Sequence, residues 1–348
     1  MNNVVLSVII PVYNGKAYLQ ELIATFFEKN KELQNKIELI FVDDGSTDDS
    51  YEMLMALSNK HSNIKVFRKS NGGIASARNY GLLHAIGTFV TFMDQDDCLE
   101  KSYESFLQVM ETTQSDVLIS DFFVRGFNKQ ILSREMGITA DRLLEGVGVK
   151  NVALKLLCGD LCEDAFLLNI TVHPSVWNCI FRRETLNKHD CHFFSFVDYE
   201  DDWLFIIQSL MVSDRVVLTN KKYYCWNENL GSESHSVKYI PDLFAKKQAL
   251  KAWIIKSLCQ LAVDKKKRDV VADRFEAHCL VECFYNSSLN LSYKDYRKEM
   301  SQLEVLENSE MQSVNLPLVQ QVFRYLLLHK CFFVAYLLNR YVLKRHFH

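Results

Sequence analysis

The chain is poor in several things, and each scarcity excludes something. Only four of its 348 residues are proline while 48% are apolar, which rules out an extended chain and leaves a globular one able to bury a core. Net charge is nearly absent, formally −3, so binding to nucleic acid through overall positive charge is excluded. No CxxC pair occurs among the ten cysteines. Cys158/Cys162 and Cys279/Cys283, the latter beside His278, have only the helical i, i+4 spacing, and such thiols read as small buried hydrophobes before they read as zinc ligands. The opening Met1-Asn2-Asn3-Val4-Val5 lacks the charged flank, apolar core and cleavage site of an export signal, so a cytoplasmic protein with free thiols is expected. No repeat or low-complexity tract is present, and the length suits one large domain with a smaller appendage.

What is present is an alternation of strand-like and helical stretches. Residues 4–10 form a nearly continuous apolar run suited to a buried parallel strand. Residues 16–29 carry Leu19, Leu22, Ile23, Phe26 and Phe27 at helical spacing. Strands are expected again at 37–42, 64–67 and 88–93, and helices at 48–60 and 75–86. This succession predicts an α/β class: a mostly parallel sheet with helices on both faces. Residues 121–170 read as an insertion with some helix, at 152–157. Beyond Pro241 the pattern is helical, at 243–261, 268–289 and 314–344. A boundary near residues 236–241 divides a first domain, 1–238, from a helical C-terminal region, 239–348.

In open parallel sheets, ligands bind beyond the carboxyl ends of the strands, and the distinctive polar residues fall there. Strand one ends in Pro11-Val12-Tyr13-Asn14-Gly15, strand two in Asp43-Asp44-Gly45-Ser46-Thr47-Asp48, strand four in Met93-Asp94-Gln95-Asp96-Asp97. Taken alone, Asp44-Gly45-Ser46 is also an ordinary turn, with Ser46 or Thr47 capping the next helix. The acids Asp94, Asp96 and Asp97 repel one another unless a cation offsets them. Hard carboxylate oxygens suit Mg²⁺ or Mn²⁺, which bridge such acids to phosphate. Paired Gly72-Gly73 at a helix start would let a phosphate approach the backbone.

These stretches, with Ser7-Val8-Ile9-Ile10 ahead of the first and Asn71-Gly72-Gly73 through Ala77-Arg78-Asn79-Tyr80-Gly81 between the second and third, resemble the N-terminal half of family 2 glycosyltransferases, which adopt the GT-A fold. The resemblance is dense over residues 4–120 and returns around 173–235. It implies a nucleotide-sugar donor site. Pro11, Val12 and Tyr13, followed by Asn14, would line the nucleotide base. Asp44 would accept from a uracil imide, with Asp43 supporting its loop, and Arg78 would hold the acidic loop. Asp94 and Asp96 match the DxD element, Asp94 near ribose and metal, Asp96 as metal ligand; Gln95 stands where serine is frequent, and Asp97 would face the donor sugar.

Inverting transfer also needs a carboxylate beside the acceptor hydroxyl. Tyr199-Glu200-Asp201-Asp202-Trp203 precedes an apolar helix at 203–211, and the resemblance makes Asp201 the base with Glu200 and Asp202 as neighbours; Asp202 would serve if the helix began one residue later. The same acids also complement a helix N-terminus. His173 to Arg183 resembles the segment bordering the acceptor, where Trp177 either stacks on a sugar or packs in the core. Ser232-Glu233-Ser234-His235 resembles an element that closes over the diphosphate or metal, with His235 as a ligand.

After Glu310 no acid occurs, while Arg324, Lys330, Arg340, Lys344 and Arg345 flank aromatic and aliphatic residues. The apolar stretch is broken by His329 and Lys330, too early for a membrane span; the inner-leaflet surface, a domain-packing contact and another subunit, as in a homo-oligomer, all fit. The reading is an inverting transferase of hexosyl or N-acetylhexosaminyl groups, using a UDP-sugar and Mn²⁺ or Mg²⁺, with a glycan or lipid-linked oligosaccharide as acceptor and bacterial surface polysaccharide as product. Its rivals are a non-catalytic nucleotide-sugar scaffold and a sugar nucleotidyltransferase; for the latter, no glycine-rich triphosphate loop follows strand one.

Overall fold

The computed structural model describes residues 4–159, 162–173, 175–196, 200–229, 239–302, 321–322, 325–326 and 329–338. They separate into two compact units, residues 1–195 with 199–232, and residues 196–198 with 233–348.

The first unit begins with β1 (Leu6–Val12), α1 (Lys16–Lys29), β2 (Ile37–Asp43), α2 (Ser50–Ser58), β3 (Ile64–Arg68), α3 (Ile74–His84) and β4 (Phe89–Phe92). The four strands are mutually parallel in the order β3-β2-β1-β4, as the alternation predicts. Every residue of β1 and β2 is buried, which is why their sequences are almost unbroken apolar runs. The buried Glu38 within β2 is accommodated by Ser7 Oγ at 2.5 Å, the Ile86 N–H at 2.8 Å and Lys65 Nζ at 2.6 Å; paired in this way, the charge is tolerated in the sheet. Leu19, Leu22, Ile23 and Phe26 form the buried stripe of α1. Helix α3 lies so close to β1 that a Cβ on Gly81 would sit 2.4 Å from Ile9 Cγ2, so only glycine fits there.

Beyond β4 the sheet becomes mixed. It continues through β5 (Cys98–Leu99), α4 (Glu104–Thr113), β6 (Val117–Arg125), β7 (Ile131–Arg134), β8 (Arg142–Glu145), α5 (Val147–Cys158), α6 (Ala165–Leu168), β9 (Cys179–Arg182), α7 (Arg183–Lys188), α8 (Asp201–Met211) and β10 (Arg215–Asn227). The spatial order runs β3-β2-β1-β4-β9-β6-β10-β5, with β7 beside β6 and β8 beside β10. β9 is antiparallel to both β4 and β6, whereas β6 and β10 are parallel. The insertion at 121–170 is therefore partly sheet. Its strands β7 and β8 are mostly exposed and show no apolar alternation, so periodicity could not reveal them.

The second unit holds α9 (Leu243–Gln260), α10 (Lys265–Asn290), α11 (Tyr293–Gln302) and α12 (Phe332–Leu337), close to the helical pattern expected up to residue 290. Leu280, Phe284, Tyr296, Met300, Phe332, Ala335 and Tyr336 form its core. Among the described residues, no helix is long and apolar enough to cross a membrane. Of the basic C-terminal residues, Arg324, Arg340, Lys344 and Arg345 lie outside the described residues. All ten cysteines are free, and Cys279 and Cys283 lie 4.0 Å apart through their sulfurs.

Candidate functional site

The loops after β1, β2 and β4 are tied together by side chains from the sequence motifs themselves. Asn14 adopts the left-handed region at φ 50° and joins the first two loops. Its N–H donates to Ser46 Oγ at 2.9 Å, and its Oδ1 accepts from the Thr47 N–H at 2.8 Å. Gln95 joins the first loop to the third: its Oε1 accepts from the Tyr13 N–H at 3.0 Å and its Nε2 donates to the Tyr13 carbonyl at 3.1 Å. Pro11 and Val12 are buried within β1, Val12 as part of the hydrophobic core. Tyr13, 47% exposed, is the residue of this trio that presents a ring.

The two aspartates after β2 have different surroundings. Asp43 is fully buried and pairs with Arg68 Nε at 3.2 Å; Arg68 in turn donates to the Ser46 carbonyl at 3.0 Å. Asp44 clasps the glycine turn. Its carboxylate accepts from the Gly72 N–H at 3.0 Å, the Gly73 N–H at 2.8 Å and Lys69 Nζ at 2.5 Å. Gly45, at φ +75°, carries the chain past Asn71, where an added Cβ would lie 2.9 Å from the Asn71 nitrogen. These contacts occupy Asp44 in this structure, and sequence reasoning missed Lys69, which sits two residues before the glycine turn's Asn71.

Arg78 is the centre of the site. Buried on α3, its guanidinium donates to Asp94 at 3.0 Å, to Asp201 at 2.8 Å and to Asp202. One cation thus joins the acidic loop after β4 to the first turn of α8, and Arg78 also lies over the Phe193 ring at 5.4 Å. Burial works against its charge, and Asp202, Asp94 and Asp201 more than offset that, so its pKa lies above the ordinary value. Burial also raises Asp94, with Arg78 opposing and Asp96 reinforcing. Helix α8 starts at Asp201, with Glu200 as its cap residue, two residues earlier than the apolar pattern suggests. The Asp201 side chain is 9% exposed and that of Asp202 19%. Asp202 Oδ2 accepts from the Val176 N–H at 3.1 Å, which ties it to the segment expected to border the acceptor. Burial, opposed by Arg78 and reinforced by Asp201 and Asp94, pushes the Asp202 carboxyl up to about 7.

The last two acids of the DQDD run diverge. Asp97 was expected to face a donor sugar, but it is buried and both its oxygens are occupied. Tyr224 Oη donates to one at 2.6 Å and the Asn227 N–H to the other at 2.7 Å. Burial, then Asp94 and Asp96, hold its carboxyl well above the usual range. Asp96 is bound more lightly: Asn229 Nδ2 donates to its Oδ2 at 3.0 Å, and Asn227 Nδ2 to its carbonyl at 2.7 Å. Trp177 stacks on Tyr224 at 4.6 Å and 14° and meets Phe122 edge-on at 4.6 Å. Only 7% exposed and part of the core, it braces Tyr224 behind Asp97, which is the packing alternative for this residue. His235 lies outside the described residues. The strand β10 residues Tyr224, Asn227 and the following Asn229 were also missed; their sole signal was the aromatic run within a block of family resemblance.

Residues 7–188 match the family model described as glycosyl transferase family 2, more than half of the chain. The chain belongs to that family. The family 2 glycosyltransferase assignment agrees with individual relatives. The uncharacterized glycosyltransferase EpsJ of Bacillus subtilis is 26% identical over 227 residues, 65% of this chain and 62% of EpsJ. The poly(ribitol-phosphate) beta-N-acetylglucosaminyltransferase TarS of Staphylococcus aureus is 28% identical over 246 residues, 68% of this chain but only 38% of TarS. In fold, the crystal structure of TarS residues 1–349 with UDP-GlcNAc aligns at a TM-score of 0.66 and 19% identity, over 97% of this chain and 93% of that one. The glycosyltransferase accordingly has the GT-A fold, with a mixed sheet and a helical C-terminal region. The chain spans less than two thirds of the length of the curated relatives it matches.

Proposed function

We propose that this glycosyltransferase moves a hexosyl or N-acetylhexosaminyl group from a UDP-sugar, with inversion, to a hydroxyl of a glycan or lipid-linked oligosaccharide. The observation that carries the reading is the Arg78 junction, which holds Asp94 of the donor-side loop against Asp201 and Asp202 of α8. An inverting site needs acids in two places, at the diphosphate and at the acceptor, and one buried guanidinium fixes the spacing between them. TarS, named for N-acetylglucosaminyl transfer and crystallised with UDP-GlcNAc, supports UDP-GlcNAc as the first donor to try.

The donor set after β4 fits a hard divalent cation. Arg78 binds Asp94 Oδ1 and Asn229 binds Asp96 Oδ2, so each acid keeps a second oxygen for a cation, and the mutual repulsion among Asp94, Asp96 and Asp97 favours one. Asp94 and Asp96 would hold Mn²⁺ or Mg²⁺, which when bound would supply positive charge for the departing diphosphate. Asp97 fixes the loop through Tyr224 and Asn227. Tyr13 offers its exposed ring to the base, Asn14 and Gln95 hold its backbone, and Asp43 and Asp44 shape the adjoining turn.

As base we favour Asp202 over the expected Asp201. Asp202 is the more exposed of the two, it touches the acceptor-side segment through Val176, and a carboxyl held near neutrality takes a proton readily in the transition state. Asp201, deeper and bound to Arg78, positions that guanidinium, and Glu200 opens the helix. The acceptor hydroxyl would give its proton to an Asp202 oxygen as its own oxygen attacks the anomeric carbon from the face opposite the diphosphate. Asp202→Asn is expected to keep donor binding and abolish transfer, while Asp201→Asn retains measurable turnover. Full activity in Asp202→Asn would remove it as the base; loss confined to Asp201→Asn would return the role there. The site of action we propose is the cytoplasm, at the inner leaflet for a lipid-linked acceptor, with the basic C-terminal residues as the contact.

A further inference from the structure

A second cluster of metal-ligating side chains adjoins the acidic loop. Strands β5 and β10 pair antiparallel with Cys98 opposite Cys225. The two sulfurs and a carboxylate oxygen of Glu100 all lie within 4.8 Å of one another. Both cysteines are buried, and Glu100 is partly so. Arg125 Nη2 holds Glu100 Oε1 at 3.2 Å, which orients the carboxylate. Asn227 supplies a fourth polar group, its Oδ1 4.0 Å from Cys98 Sγ.

We propose that Cys98, Cys225 and Glu100 form a binding site for a thiophilic divalent cation of the zinc or cadmium class, separate from the Asp94 and Asp96 pair. Two thiolates and a carboxylate are a soft and borderline donor set, unlike the all-oxygen set of the DQDD loop. Tetrahedral zinc with metal–sulfur bonds of about 2.3 Å needs ligand atoms about 3.7 Å apart, so side-chain rotations of about an ångström from the present spacing suffice. Binding releases the two thiol protons to solvent and involves no redox change. Two thiolates and a carboxylate exceed the ion's charge by one, and the adjacent Arg125 guanidinium offsets that excess. An outer partner of this kind orients a ligand and raises affinity. Occupancy would fasten the short β5 to the end of β10, the stretch that carries Tyr224 and Asn227 and thereby clamps Asp97.

The test is a titration of the metal-free full chain with Cd²⁺, following the ultraviolet thiolate-to-cadmium absorption band. The band is expected to saturate at one equivalent, to vanish in Cys98→Ser and in Cys225→Ser, and to persist in Cys279→Ser, which controls for the other close thiol pair. Arg125→Gln is expected to weaken binding by about 10-fold or more. No band in the wild-type chain, or a band unchanged in both Cys98→Ser and Cys225→Ser, overturns the site. Should those two variants fail to fold, zinc-edge X-ray absorption on the Cys279→Ser chain decides instead: sulfur neighbours are expected, and an all-oxygen and nitrogen shell refutes the proposal.

Discussion

Replacing Arg78 with glutamine removes the cation on which both halves of the site depend. The guanidinium is 3% exposed and bound to three carboxylates. At an effective dielectric of about 20, each contact is worth about 4 kcal/mol of gross attraction. Desolvation of the arginine cancels much of that sum, and removing one partner of a buried ionic group costs about 3–5 kcal/mol net. The loss has a pH signature. Without Arg78 the carboxyls of Asp94 and Asp202 hold protons more tightly in the folded chain than in the unfolded one, so the variant is penalised most where the unfolded acids are ionised. The destabilisation should therefore be largest at about pH 8 and shrink toward about pH 5, as the folded acids become protonated and uncharged. Urea unfolding of wild type and Arg78→Gln at the two pH values measures this directly. A loss below about 1 kcal/mol, or one that does not change with pH, would refute the claim that one buried cation balances three acids.

The base assignment predicts an acid limb in kcat/KM with an apparent pKa near 7, because Asp202 must be ionised to act and its carboxyl is held at about 7. Asp201→Asn removes a like charge and should move that limb to lower pH; an unmoved limb would detach it from Asp202. Asp96→Ala should weaken metal-dependent binding of UDP-GlcNAc while leaving the fold intact, and unchanged metal dependence by calorimetry would take Asp96 out of the cation site. Trp177→Ala should cost about 3–5 kcal/mol as a core truncation; full stability with only a raised acceptor KM would restore the sugar-stacking role.

The parallel half of the fold was legible because β1, β2 and β4 are buried on both faces and α1 carries a clean apolar stripe. Helix α1 falls on the expected residues 16–29, and α9 and α10 lie within a few residues of their expected ends. Strands β7 and β8 were not legible, since exposed edge strands need no apolar alternation. The loops converge on one another as strand-end positions imply, with Asn14 and Gln95 acting as connectors. What motif spacing could not convey was orientation. The resemblance has Asp97 facing the donor sugar, yet its contacts with Tyr224 and Asn227 turn it inward, and of the two roles open to Trp177 the structure shows core packing against Tyr224. Nor could it reveal that Arg78 reaches 124 residues along the chain to Asp202, because a long-range ion pair leaves no local pattern. The paired Cys98 and Cys225 escaped for the same reason.

The central claim, transfer from a UDP-sugar through a carboxylate-held divalent ion, is tested most directly by a panel of nucleotide sugars with Mn²⁺ or Mg²⁺. Thermal stabilisation and slow donor hydrolysis would be scored with and without chelator. The account predicts that UDP-sugars stabilise the chain, that chelator abolishes the effect, and that Asp202→Asn keeps the stabilisation while losing transfer. A folded chain that responds to no nucleotide sugar under any metal condition would contradict it.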